Sequence, residues 1–310
     1  MASRPSSPAP RIHAPGILYF DAVRRAGSIR EAARRLNVAS SAVNRQILKM
    51  EQALDAPLFE RLSAGLRLTA AGEVMARHVI AVLRDAERTR AELDALRGLR
   101  TGHVELATLE GLCHRIVPEA AAALRRERPG ITVSTGILRT AEIPGAILNG
   151  DVHLGLAFEI RRQAGLRQIA AVRLPLGAIV PPGSPLARRQ AVTLSDCMDA
   201  PLILPQANFA NRDQIEALIA RGGGLRPHYE AGSVELLKQM VLRGLGIAFM
   251  TRVGLEAELD AGSLVHVPLH RGRTPVHSEL GLWAHARTAT PHAVGAFATM
   301  LAAQMGARRA

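Results

Sequence analysis

The stretch from Ser28 to Gln52, SIREAARRLNVASSAVNRQILKMEQ, leaves the least room for alternative folds. It opens with a capping box, in which Ser28 accepts from the backbone of Glu31 and Glu31 reaches back. Ile29, Ala32, Ala33 and Leu36 then recur at helical spacing and form one apolar face. Asn37 tolerates the left-handed geometry that ends such a helix, and Asn37-Val38-Ala39 is long enough only for a sharp turn. A second helix is expected from near Ser40, burying Val43, Ile47, Met50 and Leu54. At about 100° per residue its opposite face carries Ser41, Arg45, Leu48, Lys49 and Gln52, with Ser40 and Asn44 at the leading edge. Ala39 has no side-chain acceptor, so Ser40 or Ser41 is expected to cap this helix.

Two short helices joined by a three-residue turn form a helix-turn-helix layout, whose second helix places its N-terminal end against base edges in the major groove. An ordinary helical hairpin shares the capping box and the apolar stripe. What favours the nucleic-acid reading is the tight turn, the non-acidic outer face and the segment that follows. There Leu58–Arg61 and Leu66–Leu68 read as two short strands around Ser63-Ala64-Gly65, a small hairpin or wing. A helix beginning near Ile17, with Phe20 and Val23, precedes the pair and stops at Gly27.

Residues 17–73, ILYFDAVRRAGSIREAARRLNVASSAVNRQILKMEQALDAPLFERLSAGLRLTAAGE, resemble the LysR-type transcriptional regulators. The helix pair, the PLFER segment and the LTAAGE segment stand in the family's order and spacing. That family commonly has Ser-Gln-Pro where this chain has Ala39-Ser40-Ser41, a departure that bears on base preference rather than on binding. The resemblance implies double-stranded operator DNA as a partner. Ser40, Ser41, Asn44 and Arg45 are then the candidates for base or adjacent phosphate contact, and Lys49 and the wing arginines Arg61 and Arg67 for the backbone.

Charge agrees with this division. Residues 1–100 carry 17 Lys and Arg against 10 Asp and Glu, and the remaining 210 residues carry 22 against 17, so the basic excess concentrates around the helix pair. Arg outnumbers Lys 37 to 2, a bias that genomic base composition explains without any selection for phosphate contacts.

Thr69 can cap a helix that runs without Pro or Gly from about Glu73 to Arg97. Met75, Val79, Val82, Ala86, Thr89, Leu93 and Leu96 repeat in alternating steps of four and three, a coiled-coil seam. A helix of that length, on the order of 40 Å, outruns the small domain before it. Packing on the chain's own effector domain is one alternative; a second copy of the chain, giving a homodimer, is the expected cover and is also what the resemblance implies, together with a homotetramer.

From His103 strands alternate with helices: strands at Val104–Thr108, Ile131–Leu138 and Val152–Phe158, then strand-like pieces at Ile169–Val180 and a second series up to a return at Val265–Leu269. This predicts a parallel α/β sheet. The two-lobe, periplasmic-binding-protein-like arrangement comes from the resemblance. The expected domains are a disordered tail at 1–14, a winged helix-turn-helix domain at 15–69, a linker and dimerisation helix at 70–98, and an effector-binding domain at 102–310. Lobe I is expected at about 102–172 and 268–305, and lobe II at about 173–267. Ligands in open α/β sheets sit beyond the carboxyl ends of strands, which directs attention to Glu110, Arg139, Thr140, Asn208, Phe209 and Ser233 as effector-binding residues. Capping alone is the alternative at Thr140 and Ser233, and the resemblance, which implies that these positions line an inter-lobe cleft, favours both uses. Helix N-termini there favour a small anionic effector, which Glu110 would repel unless it pairs with Arg139 or His114.

Cys113 and Cys197, the only cysteines, imply no disulfide framework. Metal-ligand spacing, a phosphate-binding glycine loop and a nucleophile elbow are all missing from the sequence, so no metal, cofactor or enzymatic activity is expected. The N-terminus lacks the apolar core of an export signal and no span is apolar enough for a membrane, which predicts a cytoplasmic protein. Contact with RNA polymerase is a further partner that the resemblance allows.

Overall fold

The computed structural model describes residues 15–63, 65–96, 101–206, 212–221, 227–286 and 290–307. The expected tail, and Asn208 and Phe209, lie outside them. The chain divides into two compact units, Met1–Leu93 and Asp94–Ala310.

The first unit runs α1 (Pro15–Ala26), α2 (Ile29–Leu36), α3 (Ser40–Leu54), β1 (Phe59–Leu62), β2 (Gly65–Leu68) and α4 (Ala70–Leu96). Its core joins Phe20 and Val23 of α1 to Ala32 and Ala33 of α2 and to Val43 and Ile47 of α3, with Leu58, Ala76 and Val79 closing it. The Phe20 ring packs at 5.2 Å, tilted, against Phe59. Ser28 accepts from the backbone of Glu31 at 3.5 Å, and Asn37 ends α2 at φ 53°. The reciprocal half of the capping box is not made: the Glu31 carboxylate turns to Arg34 and Arg35 instead. Those guanidiniums hold its pKa down at about 2.

Three expectations need correction. Neither Ser40 nor Ser41 caps α3; Ala39 occupies that position with no side-chain bond, and the serines form the first turn. Leu54 is 50% exposed rather than buried, because α3 ends there, one turn beyond the last core position. The seam on α4 is also divided. Val79 is fully buried in the core of its own domain and so is not free to meet a second chain, and Met75 is partly buried against the same core. Val82 and Ala86 are half-buried and Leu93 is 47% exposed, while the Leu96 side chain lies outside the described residues.

The wing is fastened at both ends. β1 and β2 pair antiparallel with Glu60 opposite Arg67, and Leu66 N–H donates to the Gly27 carbonyl at 2.8 Å. Thr69 caps α4 by accepting from Gly72 N–H at 3.0 Å, and its hydroxyl donates to the Pro57 carbonyl at 2.6 Å. Gly72 packs so close to the wing strand that a Cβ there would lie 2.0 Å from the Leu58 carbonyl oxygen.

The second unit has two sheet systems. Its elements are β3 (Gly102–Thr108), α5 (Ile116–Glu127), β4 (Ile131–Ile137), α6 (Ile143–Leu148), β5 (Leu154–Phe158), β6 (Leu166–Pro175), β7 (Gly177–Val180), β8 (Val192–Thr193), β9 (Ile203–Pro205), α7 (Arg212–Arg221), β10 (Tyr229–Ala231), α8 (Val234–Leu242), β11 (Ala248–Met250), α9 (Glu256–Asp260), β12 (Val265–Arg271), β13 (Thr274–Pro275), β14 (His277–His285) and α10 (His292–Gly306). The first lobe is the five-stranded sheet β4-β3-β5-β14-β6, and the second is built on β11-β7-β12-β13 with β8 at its side and on the pair β10-β9. The strands β4, β3 and β5 are parallel as expected, but β14 and β6 are antiparallel additions, so the sheet is mixed. β12 pairs with β7 in the second lobe, so the chain returns to the first lobe at Val276 and not at Val265–Leu269. The stretch Ile169–Val180 likewise splits between lobes at Leu176, whose N–H donates to the Val276 carbonyl at 2.9 Å. The two crossings are therefore neighbours. Lobe I encloses Leu106, Leu156, Leu282 and Phe297, and lobe II has separate cores around Phe249 and around Leu237.

Two substitutions test this packing. Phe20→Ala should cost the first unit about 3–5 kcal/mol, the range for deleting a buried aromatic. Gly72→Ala should cost at least about 3 kcal/mol, the upper end for overpacking, because backbone and not a movable side chain stands in the way. Denaturant melts reporting on the first unit check both, and a loss below about 1 kcal/mol in either contradicts the geometry.

Candidate functional site

The first unit presents α3 outward. Ser40, Ser41, Arg45, Leu48, Lys49 and Gln52 are exposed and Asn44 is half-buried, while Val43 and Ile47 face the core. Because Ala39 leaves the serine hydroxyls unused, the first turn of α3 offers two small hydroxyls beside Arg45, none with an intramolecular partner among the described residues. On the wing, Arg61 is exposed and has no partner among the described residues. Arg67 is held by Glu60 at 2.6 Å across the strand pair, which takes part of its charge. Exposed basic and hydroxyl groups on one helix end, with a basic wing alongside, suit phosphate and base-edge contact.

The second unit holds a cavity of about 320 Å³ between its lobes. Lobe I contributes Leu109, Glu110 and Leu112 from the end of β3, Ile137, Leu138 and Arg139 from the end of β4, Glu142 at the start of α6, and Phe158 at the end of β5. Lobe II contributes Pro205, Gly232, Val234, Leu237, Met250, Thr251 and Val253, and Ser278 comes from β14. Strand ends converge here as the topology requires. The volume stands at the lower end of small-ligand pockets, roughly 300–1,000 Å³, and the wall is mostly aliphatic.

Of the effector residues expected from the sequence, Glu110 and Arg139 line this cavity. Thr140 does not: its hydroxyl is buried beside the wall without a partner among the described residues. Ser233 is spent as a cap, accepting from Leu236 N–H at 3.1 Å. Asn208 and Phe209 lie outside the described residues. Glu110 pairs with neither Arg139 nor His114; its carboxylate accepts from Val234 N–H at 3.0 Å and from Glu235 N–H at 3.5 Å, at the start of α8. Glu142 is also engaged, accepting from Arg139 N–H at 3.0 Å. Among the described residues, this leaves the Arg139 guanidinium as the charged group of the wall without a partner. Phe158 and Thr251 follow the same strand-end rule that identified Glu110 and were legible on that ground. Ser278, whose hydroxyl donates to Gln214 at 3.1 Å, arrives through the second crossing, which no local pattern announces.

The lobes meet tightly beside Glu110. Gly254, at φ +85°, comes so near Gly111 that a Cβ on it would lie 3.2 Å from the Gly111 Cα. α8 itself is anchored by Lys238, 4% exposed, which donates to Glu258 at 2.7 Å and pairs with Glu235 at 2.8 Å. Burial opposes the Lys238 charge, and the two carboxylates more than offset it, raising its pKa.

Two family models cover both units. One described as a bacterial regulatory helix-turn-helix protein of the lysR family matches residues 16–73, and one described as the LysR substrate binding domain matches residues 97–306. The chain belongs to the LysR family. It is a LysR-type transcriptional regulator, with a helix-turn-helix DNA-binding domain and an effector-binding domain, and the proteins it matches are regulators rather than enzymes. Among curated relatives it is 29% identical to the HTH-type transcriptional regulator CbbR of Rhodospirillum rubrum, over 83% of this chain and 85% of that one. Its fold is that of full-length Pseudomonas aeruginosa OxyR C199D, with a TM-score of 0.73, 18% identity and coverage of 92% and 93%. It is also that of full-length CbnR complexed with its target DNA, with a TM-score of 0.54, 22% identity and coverage of 94% and 99%.

In this LysR-family chain burial disfavours the thiolate form of both cysteines. Burial raises the Cys113 pKa, and the Glu110 charge adds to it. Burial, aided by Asp196, pushes Cys197 up to about 11. At pH 8 a thiol at that value is ionised to on the order of one part in a thousand. Millimolar peroxide should therefore leave both cysteines reduced, as read by peptide mass spectrometry; a Cys113–Cys197 disulfide or a sulfinic adduct contradicts this.

Proposed function

We propose that the protein acts in the cytoplasm as a homodimer, or a tetramer of two such pairs, that reads a dyad-symmetric operator and is tuned by a small organic acid in the inter-lobe cavity. The operator contacts fall on Ser40, Ser41, Asn44 and Arg45, with Lys49 and Arg61 on phosphates and Arg67 in a lesser role because Glu60 shares it. The observation that carries this is the outer face of α3, where a hydroxyl pair, an arginine and a lysine stand exposed with no intramolecular partner among the described residues. Side chains so placed cost little to engage, since no existing bond has to break.

Pairing of subunits rests on the distal part of α4, where Val82, Ala86 and Leu93 continue the heptad seam beyond the residues consumed by the domain core. An acidic effector is favoured by Arg139, since the two carboxylates of the wall are already bonded to backbone amides. The apolar remainder of the wall suits a hydrocarbon body. Effector binding changes transcription only by favouring one quaternary arrangement over another, because equal affinity for both shifts nothing. Contact with RNA polymerase fits this role.

Arg45→Ala should weaken binding to the operator by about 1–3 kcal/mol and relax base preference, and Lys49→Ala should lower the salt slope by about 1. Anisotropy titrations over a range of salt concentrations read both, and unchanged affinity and slope in Arg45→Ala contradict the contact assignment. Arg139→Ala should leave operator affinity within about twofold while raising the effector concentration for half-response at least about tenfold, the loss of one charge-assisted bond. An unaltered response removes Arg139 from the site.

A further inference from the structure

The start of α8 opens beside the cavity, and its first three amides are all satisfied without any ligand. Val234 and Glu235 donate to Glu110, at 3.0 and 3.5 Å, and Leu236 donates to Ser233 at 3.1 Å. Ser233 is local, whereas Glu110 comes from the other lobe, on the 3₁₀ turn Glu110–Cys113 that follows β3. A helix start combines unsatisfied N–H groups with a partial positive charge, which makes it the natural seat for an anion facing this cleft. Here the protein's own carboxylate holds that seat. A second observation concerns Thr251, which is 7% exposed and lines the same cavity. Its hydroxyl has no partner among the described residues, so on the lobe II side the polar group still awaiting a ligand is uncharged.

On the reading of this cavity as the effector site, we propose that Glu110 is its specificity-determining residue. It serves as an internal anion on the α8 amides and so restricts the cleft to monoanionic acids. The ligand's acid group lies toward Arg139 in lobe I, and an uncharged hydroxyl, carbonyl or amide lies toward Thr251. A dicarboxylate spanning the cleft is excluded, because its second charge would have to displace Glu110 or lie beside it. The same bonds tie β3's end to α8, so they also hold the two lobes together when the cleft is empty.

Full-length wild-type protein, Glu110→Ser, Glu110→Gln and Glu142→Gln test this without knowledge of the effector. Inorganic sulfate at constant ionic strength is the probe, followed by calorimetry and by hydrogen exchange of the peptide spanning residues 232–238. In Glu110→Ser, exchange of the Val234 and Glu235 amides should rise at least tenfold. Sulfate should restore their protection, with an affinity at least tenfold above wild type. Glu110→Gln keeps one acceptor oxygen at the same size and should fall between the two, and it carries the comparison if the serine variant does not fold. Glu142→Gln removes a cavity charge that does not touch the α8 amides and should leave their exchange unchanged. Exchange and sulfate affinity at wild-type values in both Glu110 variants overturn the proposal. So does an equal gain in Glu142→Gln, which would mean simple repulsion rather than occupancy. The effector reading fails separately: if small acids never alter promoter binding, that reading falls while the amide measurements still decide whether Glu110 fills the helix start.

Discussion

The double passage of the chain between lobes, at Leu176 and again at Val276, is the constraint on which the second unit depends. The two strands cross side by side and are bonded to each other, so the connection is narrow. Each lobe keeps its own cores, with Val253 of lobe II packing into that of lobe I. The lobes also share close contacts: Glu110 on the α8 amides, Gly111 against Gly254, Arg115 within 3.6 Å of Asp260, and, next to the second crossing, Gln214 with His277 and Ser278. A two-strand connection is the kind of element that hinge closure uses, and on the proposed function a ligand biases it by a differential energy of only a few kcal/mol.

The first unit solves a different problem. Its core is small, and it recruits the start of the long helix to complete itself, through Ala76 and Val79. That use explains why the heptad pattern on α4 is longer than the surface it leaves for a partner. It also explains the tight seating of Gly72, where helix and wing strand approach until no side chain fits. With the core packed in this way, α3 has one face fixed and one face free. Since Ala39 provides no cap, the serines that follow it keep their hydroxyls for other contacts.

Much of this was legible in the sequence, and where it was not the reason is physical. The helix pair, its turn at Asn37 and the wing follow from local rules, because caps and apolar periodicity are properties of neighbouring residues. The order of strands and helices in the second unit was legible on the same ground. The placement of β12 was not, since an alternating apolar strand looks alike in either sheet and only its partner, β7, decides. The cavity shows the same division. Glu110 and Arg139 follow strand ends and could be named from the sequence, whereas Ser278 reaches the wall just after the second crossing, at Val276, which is held by Leu176 from far earlier in the chain. The partner of Glu110 was missed because a carboxylate in sequence suggests arginine or histidine, while backbone amides of a helix 124 residues later carry no sequence signature.

The central claim is that exposed, unpartnered side chains on α3 read duplex DNA as a symmetric pair. Selection of fragmented host genomic DNA on the purified full-length protein, followed by sequencing, tests it most directly. The account predicts enrichment of a few intergenic fragments sharing an inverted repeat, with half-sites about 34 Å apart or a multiple of that, one helical turn of DNA. Uniform recovery of fragments, or enrichment of a motif without dyad symmetry, would contradict it.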